Sequence, residues 1–579
     1  MRPDESIALG LGAMRLSSDA VDEPSALRLL HEALDRGVRF FDTADAYAPS
    51  ALEIGHNERL LAKAIGDRRG DVVVATKGGL RREAKQWFPD GRANHLKTAC
   101  EASLRALGVE RIDLYQLHAP DPKVPLATSV RALASLQKQG KIRDVGLCNV
   151  RLDQIETARE LVAIASVQVE LSPLTQTALK NGVVDYCVRH GIRVIAHSPL
   201  GGHRRARRVG KDGVLGAIAK RRGVSPYQVA LAWLRRIDAV ILPIPGVTRF
   251  ESLVSSLHAL EVSLSDEDIA ELDAAFPAGS VVRKPRRAPA SADGEIVLFV
   301  GYPGAGKSTL AEEWLARGYQ RMSRDVEGGT LAELTAGLER RLAAGERRIV
   351  MDNTYPRRES RFDVIELARK YDLPVRCVWL DTTLEQAQVN SVRRMLSRYG
   401  RLLEPDEIKA SQEANDFGPE AQFRYRRELE NPRPEEGFSE IEVVPFTPRQ
   451  PDGRVGKAIL LDTFDASPKS VRLLERYAGD GYRLFQVTYR PGSHQGASRL
   501  DVAGLEIDVL TCSHHPGAAS CWCRKPLPGF GVLLIERHAL DPSQCIVVGK
   551  SVADRGFAER LGFRLVSHGE FFGLMEVSG

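Results

Sequence analysis

Short β-branched and apolar runs recur through the first half of the chain, each followed by residues with helical spacing: IALGLG, VRFFDTA, VVVATK, IDLYQLH, RDVGLCN, SVQVEL, RVIAHSPL and AVILPIPG. Successive strands separated by helices lie parallel, joined by right-handed crossovers. Eight such units within about 250 residues predict a (β/α)8 TIM barrel. An open doubly wound sheet satisfies the same alternation. In both folds, chemistry gathers where strands end at their carboxyl side.

The chain has 579 residues, more than one core usually organises. Phe276 to Glu295, FPAGSVVRKPRRAPASADGE, carries proline, small residues and charge without periodicity, and TPRQPDGRVG, Thr447 to Gly456, makes a second break. The expectation is an α/β multidomain chain: a barrel over 1–278, a linker over 279–293, a second domain over 294–447 and a third over 456–579. No apolar run reaches the roughly 18 residues that would span a bilayer, and MRPDESIALGLG lacks a signal pattern. This predicts a cytoplasmic protein with no membrane partner; its oligomeric state is not specified. A net charge of +5 does not by itself point to a polyanion, which leaves two local clusters, HRRARR (His203 to Arg208) and RKPRR (Arg283 to Arg287). The first follows the seventh strand run and is expected as a loop overhanging the barrel mouth, where it would meet a phosphate or simply water.

Four polar residues close the barrel's strand runs or follow them directly: Asp42 and Tyr47 after VRFF, Lys77 after VVVAT, and His118 after IDLYQL. A phenol is a weak acid at neutral pH, and an adjacent ammonium favours phenolate. These four, together with GKIRDVGLCN, SVQVEL, HSPLGG and ILPIPG, resemble the aldo-keto reductases over the whole first segment. WFPDGRANHLKTACEASLRALGVERIDLYQLHAPDPKVPL looks most like their pyridoxal-reductase group. The resemblance implies reduction of a small-molecule carbonyl with NADP(H). In it Tyr47 acts as acid, Lys77 lowers the phenol's pKa, Asp42 holds Lys77, and His118 orients the carbonyl. It also implies cofactor contacts from Asn149, Gln168 and Ser198, and from Arg249 at the 2′-phosphate. Where the family places a Glu-Asn pair at the adenosine end, this chain has Ser255 and Ser256.

IVLFV, GYPGAGKST and LAEEWLARG read as strand, glycine loop and helix, the setting of a phosphate-binding loop. Gly301, Gly304 and Gly306 free backbone N–H groups for phosphates, Lys307 supplies charge, Ser308 can ligand Mg2+, and Thr309 follows it. From Ile296 to Phe446, RMSRD, VMDNTYPRRESR, TTLEQAQVNSVRRM and YRRELENPRPEEGFSEIEVVPF resemble, in order, the kinase domain of polynucleotide kinase 3′-phosphatase. The resemblance implies transfer of the ATP γ-phosphate to the 5′-OH end of RNA or DNA. Asp325 would be the general base, Asp352 with Asn353 and Thr354 a second carboxylate site, and Arg394 or Arg393 the lid cation. A helix N-cap remains the other reading of Asp325, and a small alcohol the other acceptor.

Of eight cysteines, Cys100, Cys148, Cys187, Cys377 and Cys545 read as isolated core thiols, whereas Cys512, Cys521 and Cys523 cluster with histidines. KAILLDTFDAS, YRLFQVTYRPG, CRKPLPG and QCIVVGKSVADRGFAERLGF resemble, in order, the motifs of haloacid-dehalogenase-type phosphatases, a HAD-like Rossmannoid fold. CSHHPGAASCWC resembles the zinc loop of their histidinol-phosphate and heptose-bisphosphate branch, which implies Zn2+ held by Cys512, His514, Cys521 and Cys523. Asp462, Thr488, Lys525 and Asp554 match the phosphatase motifs. However, Phe464 replaces the acid/base, Lys550 replaces a metal-binding aspartate, and Asp465 is the nearest substitute acid. Together these imply a nucleic-acid end-processing enzyme whose 3′-phosphatase module is inactive, fused to a reductase. A metabolic carbonyl reductase joined to a small-molecule kinase is the alternative.

Overall fold

The computed structural model describes residues 7–573, apart from 18–20, 84–85, 284–292, 412, 414, 448–452, 465, 493–495 and 516–520. The chain divides into two compact units, Met1–Arg286 and Arg287–Gly579. Among the described residues, no helix is long and apolar enough to cross a membrane.

In the first unit, eight parallel strands follow one another in chain order: Leu11–Gly12, Phe40–Asp42, Val73–Gly78, Ile112–Leu117, Ile142–Cys148, Ile164–Glu170, Arg193–His197 and Ile241–Ile244. The ring closes because Gly10 N donates to Pro243 O at 3.0 Å and Gly12 N to Pro245 O at 3.2 Å. That closure decides for the barrel over the open sheet. Phe40, Ala75, Leu114, Ile195, Leu242 and Ile244 form one buried cluster contributed by five strands, the layered filling such a barrel requires. The outer helices read their caps from the sequence. Ser225 and Gln228 form a reciprocal capping box ahead of Pro226–Ile237, whose Val229, Trp233, Leu234 and Ile237 are buried.

Two expectations change here. The linker placed at 279–293 begins as a helix, Ala278–Arg283, and its Gly279 lies so close to the buried Trp233 that a Cβ would come within 2.8 Å of the indole. The basic run His203 to Arg208 is part of a helix, Gly202–Val209, not a loop. Arginine is a good helix former, and Val209 buries completely, so this segment has an apolar anchor that its charge conceals. Arg204, Arg207 and Arg208 remain exposed, while Arg205 pairs with Glu170.

The second unit holds two sheets. In the first, parallel strands run in the order Gln320–Met322, Arg348–Met351, Glu295–Val300, Val375–Asp381 and Glu440–Pro445. The second has the order Gly496–Val502, Leu505–Cys512, Tyr482–Tyr489, Gly456–Leu461, Leu540–Val548 and Arg564–Val566, antiparallel only at the outer pair. The segments expected as separate domains, 294–447 and 456–579, share one core. Val392, Met395, Leu396, Leu403 and Ile408 of the former cluster with Leu460, Phe485, Trp522 and Phe530 of the latter. Each such side chain contributes about 1.5–3 kcal/mol on full burial, so neither segment hides its apolar face alone. Arg393 and Arg454 both meet Glu536 along this seam, at 3.2 and 2.6 Å.

Candidate active sites

At the barrel's strand ends, Lys77 Nζ donates to Asp42 Oδ1 at 2.6 Å, to Thr43 O at 2.8 Å and to Tyr47 Oη at 3.3 Å. Lys77 is 1% exposed and Asp42 3%. Such a pair is held because its charges neutralise one another; unpaired, either would be costly. Burial alone would lower the lysine's affinity for its proton, but Asp42 and Tyr47 outweigh it and raise the Lys77 pKa. The phenol departs from expectation. Lys77 does pull its pKa down, yet burial wins and pushes Tyr47 up to about 12. His118 packs edge-on to the Tyr47 ring at 5.6 Å, and burial, then Lys77 and His197, hold its imidazole well below its ordinary value. Burial thus favours the neutral ring, whose Nδ1 has no hydrogen-bond partner among the described residues.

Of the expected cofactor contacts, Asn149 and Ser198 sit just past strand ends in the left-handed region, at φ 56° and 51°. Asn149 Nδ2 donates to His118 O at 3.3 Å, and its Oδ1 lies 3.4 Å from His197 Nε2. Gln168 Nε2 donates to Asp42 Oδ2 at 2.8 Å, and its Oε1 accepts from Cys148 Sγ at 3.3 Å. It thus braces the ion pair. Arg249 is exposed at the start of helix Phe250–His258, whereas the Ser256 hydroxyl is spent on Ser252 O at 2.8 Å. The sequence reading missed two neighbours. Trp87, on an antiparallel hairpin of Leu80–Glu83 and Gln86–Pro89, stands 6.2 Å from the Tyr47 ring and is 45% exposed. His197 bridges Asn149 and Ser198. The tryptophan opening WFPDGR was the available signal for the first, and the place of His197 at the end of the run RVIAH was the signal for the second.

In the second unit the glycine loop lies between strand Glu295–Val300 and helix Lys307–Ala316, as its motif requires. Gly304 has φ +85°, and a Cβ there would come within 2.4 Å of Ser391 Oγ, so the bend admits only glycine. Lys307 is folded onto the loop, donating to Gly301 O at 3.0 Å and Tyr302 O at 2.7 Å. Desolvation lowers its pKa to about 8, against the pull of Asp352 and Asp325.

One cavity of about 790 Å3 is lined by Gly304, Gly306, Lys307, Ser308, Thr309, Asp325, Asp352, Asn353 and Arg394. Gly301 lines an adjoining one of about 450 Å3 instead. Asp325 is exposed, and the N-cap of its short helix is Ser323, whose Oγ accepts from Asp325 N at 3.1 Å. The carboxylate is therefore not consumed as a cap. Asp352 is buried and paired with Arg321 at 2.5 Å. Of the two candidate arginines, Arg394 faces this cavity and Arg393 is turned to Glu536.

Comparison with known proteins bears on both units. A model of the aldo/keto reductase family matches residues 8–276, and an AAA domain model matches residues 296–414. An uncharacterized oxidoreductase of Schizosaccharomyces pombe is 36% identical over 272 residues, covering 46% of this chain and 85% of its own length. The chain belongs to the aldo/keto reductase family. A probable aldo-keto reductase 1 of Glycine max is 32% identical over 307 residues, 47% of this chain and 86% of its own. A crystal structure of an aldo/keto reductase from Klebsiella pneumoniae, in complex with NADP and acetate, is 27% identical, covering 47% of this chain and 91% of its own with a TM-score of 0.41. The first unit is thus an aldo-keto reductase, an oxidoreductase, and the second contains an AAA-type P-loop domain consistent with a kinase.

Beyond the aldo-keto reductase unit and the P-loop lies a third cluster. The ligand atoms of Cys512, His514, Cys521 and Cys523 all fall within 4.8 Å of one another. Cys512 Sγ is 3.3 Å from Cys523 Sγ and 3.6 Å from Cys521 Sγ, and His514 Nδ1 is 3.3 Å from Cys523 Sγ. A zinc tetrahedron with Zn–S bonds near 2.3 Å has edges of roughly 3.8 Å, so four donors of these types at this spacing fit zinc. Cys512, Cys521 and Cys523 are free thiols, and Glu404 Oε2, 2.8 Å from His514 Nε2, fixes Nδ1 as the inward nitrogen.

The phosphatase-like positions are less complete. Asp462 follows strand Gly456–Leu461, its N–H bound to Val548 O at 3.0 Å, and Thr488 Oγ1 lies 3.1 Å from Thr511 Oγ1. Phe464 packs into an apolar cluster and Lys550 is exposed. Asp554 is engaged by Lys525 at 2.8 Å and by Ser551. Asp465 lies outside the described residues.

Proposed function

We propose that the first unit reduces a small-molecule carbonyl with NADP(H). The observation that carries this is the buried Asp42–Lys77 pair ending 3.3 Å from the Tyr47 phenol. When bound, the nicotinamide supplies the hydride. Tyr47 donates its proton to the carbonyl oxygen, Lys77 stabilises the phenolate left behind, and Asp42, braced by Gln168, holds Lys77. Neutral His118 donates a second hydrogen bond to the same oxygen, and Trp87 forms one wall for the substrate. Asn149 and Ser198 hold the cofactor's amide end, and Arg249 favours the 2′-phosphate of NADP over NAD. NADPH consumption with a panel of aldehydes tests this. Tyr47→Phe should lower kcat about 10²–10⁴-fold. Absence of affinity for either NADPH or NADH would contradict it.

The second unit, on our reading, is a polynucleotide 5′-hydroxyl kinase. Its support is the single cavity that joins the glycine loop to Asp325 and Arg394. When bound, Mg2+–ATP supplies the phosphoryl group. Lys307 leaves the loop carbonyls for the phosphates, Ser308 and Asp352 serve the Mg2+ side, Asp325 accepts the 5′-hydroxyl proton, and Arg394 neutralises charge developing on the transferred group. We read Cys512, His514, Cys521 and Cys523 as a structural Zn2+ site. The surrounding module we read as phosphatase-shaped but inactive, since Phe464 cannot act as an acid. Its nucleic acid partner would be a 5′-OH end of RNA or DNA. Incubation with a 3′-phosphorylated strand should release no phosphate, and labelled ATP should mark 5′-OH strands rather than free alcohols.

A further inference from the structure

The cysteine–histidine cluster is joined to the wall of the phosphoryl-transfer cavity by contacts made through Trp522 and Glu404. Trp522, between two of the cysteines, is 1% exposed, and its Nε1 donates to Phe417 O at 3.1 Å. The Phe417 ring lies 5.5 Å from the Arg394 guanidinium, and both residues line the cavity. Arg394 Nη2 donates to Asn415 O at 3.1 Å, so the same short stretch of backbone grips the arginine and is gripped by the indole. From the other side, Glu404, at the start of helix Pro405–Ala410, meets the ring nitrogen of His514 that faces away from the thiols. Leu403 and Ile408 flank this contact in the core shared with Trp522.

We propose that metal binding at Cys512, His514, Cys521 and Cys523 orders the segment from Leu403 to Gly418 and thereby sets Arg394 in the cavity. Glu404 and Trp522 are its two positioning residues. The physical basis is that His514 and Trp522 are carried by the segment that supplies the four ligands, Cys512 to Cys523. Four metal bonds fix it, and the fixed loop presents one donor and one imidazole to the Arg394 side. Without metal, the three sulfurs and His514 Nδ1 meet only through weak contacts at 3.3–3.6 Å, and Trp522 is held beside Phe417 O by core packing without the metal bonds. The consequence for phosphoryl transfer rests on the kinase reading above; the ordering of the segment does not.

The experiment compares the full chain as purified, the same chain after chelation, and the variants Trp522→Phe, Glu404→Gln and Cys521→Ser. Bound zinc is measured by elemental mass spectrometry, hydrogen exchange is followed over Leu403 to Gly418, and steady-state kinetics use ATP. One zinc per chain is expected, with exchange over this segment rising on chelation while strand Glu295–Val300 stays protected. Trp522→Phe should keep its zinc, because the ring still fills the core. It should lose protection over Leu403 to Gly418 and lower kcat about tenfold with KM for ATP within twofold, since the glycine loop is untouched. Glu404→Gln keeps a hydrogen-bond partner for His514 but loses the carboxylate, so zinc affinity should fall roughly 10- to 100-fold. Cys521→Ser should reproduce the chelated chain. Unchanged protection over Leu403 to Gly418 after zinc removal would overturn the proposal, as would a Trp522→Phe variant with wild-type protection and kcat. Failure of the kinase reading is separately visible, as equal ATP turnover by the wild type and Lys307→Ala.

Discussion

The two lysines at the centre of this chain's chemistry are held in opposite ways. Lys77 in the barrel is locked by a buried carboxylate, and its charge is reinforced; Lys307 in the glycine loop rests on two carbonyl oxygens, and burial weakens its hold on the proton. A reductase site must be assembled before substrate arrives, because its proton donor is part of the fold. A phosphate site instead waits for a ligand that brings the opposite charge. The barrel therefore spends its ionic partner internally, and the P-loop keeps its cation in reserve.

That contrast is broken most severely by Lys77→Met. Asp42 would be left buried without its cation, and the variant should lose about 3–5 kcal/mol of stability in denaturant titration and about 10²–10⁴-fold in reductase kcat. Lys307→Ala should lower phosphoryl transfer about 10²–10³-fold with no loss of thermal stability, since the buried Asp352 that attracts it keeps Arg321 as its partner. Equal destabilisation by the two substitutions would remove the distinction. A smaller effect sharpens the cofactor end of the barrel. Arg249→Ala should weaken NADPH binding on the order of tenfold, as expected for one lost charge-assisted contact, and leave NADH unchanged, by calorimetry.

A further contrast comes from pH. Lys307 has a folded pKa of about 8 against an ordinary 10.5, so between those values the unfolded chain binds more protons than the folded one. Stability of the empty second unit should therefore rise from pH 8 toward 10.5, while nucleotide affinity falls over the same range as the ammonium is lost. A parallel change in both would contradict the placement of Lys307 on the carbonyls. In the barrel, Tyr47 should stay protonated until about pH 12, followed by phenolate absorbance against Tyr47→Phe.

What the sequence made legible follows physical range. Each of the eight apolar runs overlaps a barrel strand, because alternation between strand and helix is a local pattern, and Asp42, Lys77 and His118 could be read from their place at strand ends. The glycine loop was equally plain, since its conformational demands fall on adjacent residues. The helix at Gly202–Val209 was hidden by its arginines, whose charge suggested a loop while their backbone preference favoured a helix. The net direction of the Tyr47 shift was also out of reach, because desolvation depends on everything around the ring. Least legible was the joint core of the second unit. Glu404 and His514 are separated by 110 positions, and nothing in either neighbourhood announces the other.

The account's central claim is that the second unit moves phosphate from ATP to a strand end. Its most direct test is incubation of the full chain with γ-labelled ATP, Mg2+, 5′-OH RNA and DNA strands and a set of small alcohols, with the position of the label mapped. The account predicts label at the strand's 5′ end, abolished by Lys307→Ala and by Asp325→Asn. Label on small alcohols alone, or on none of the acceptors, would contradict it.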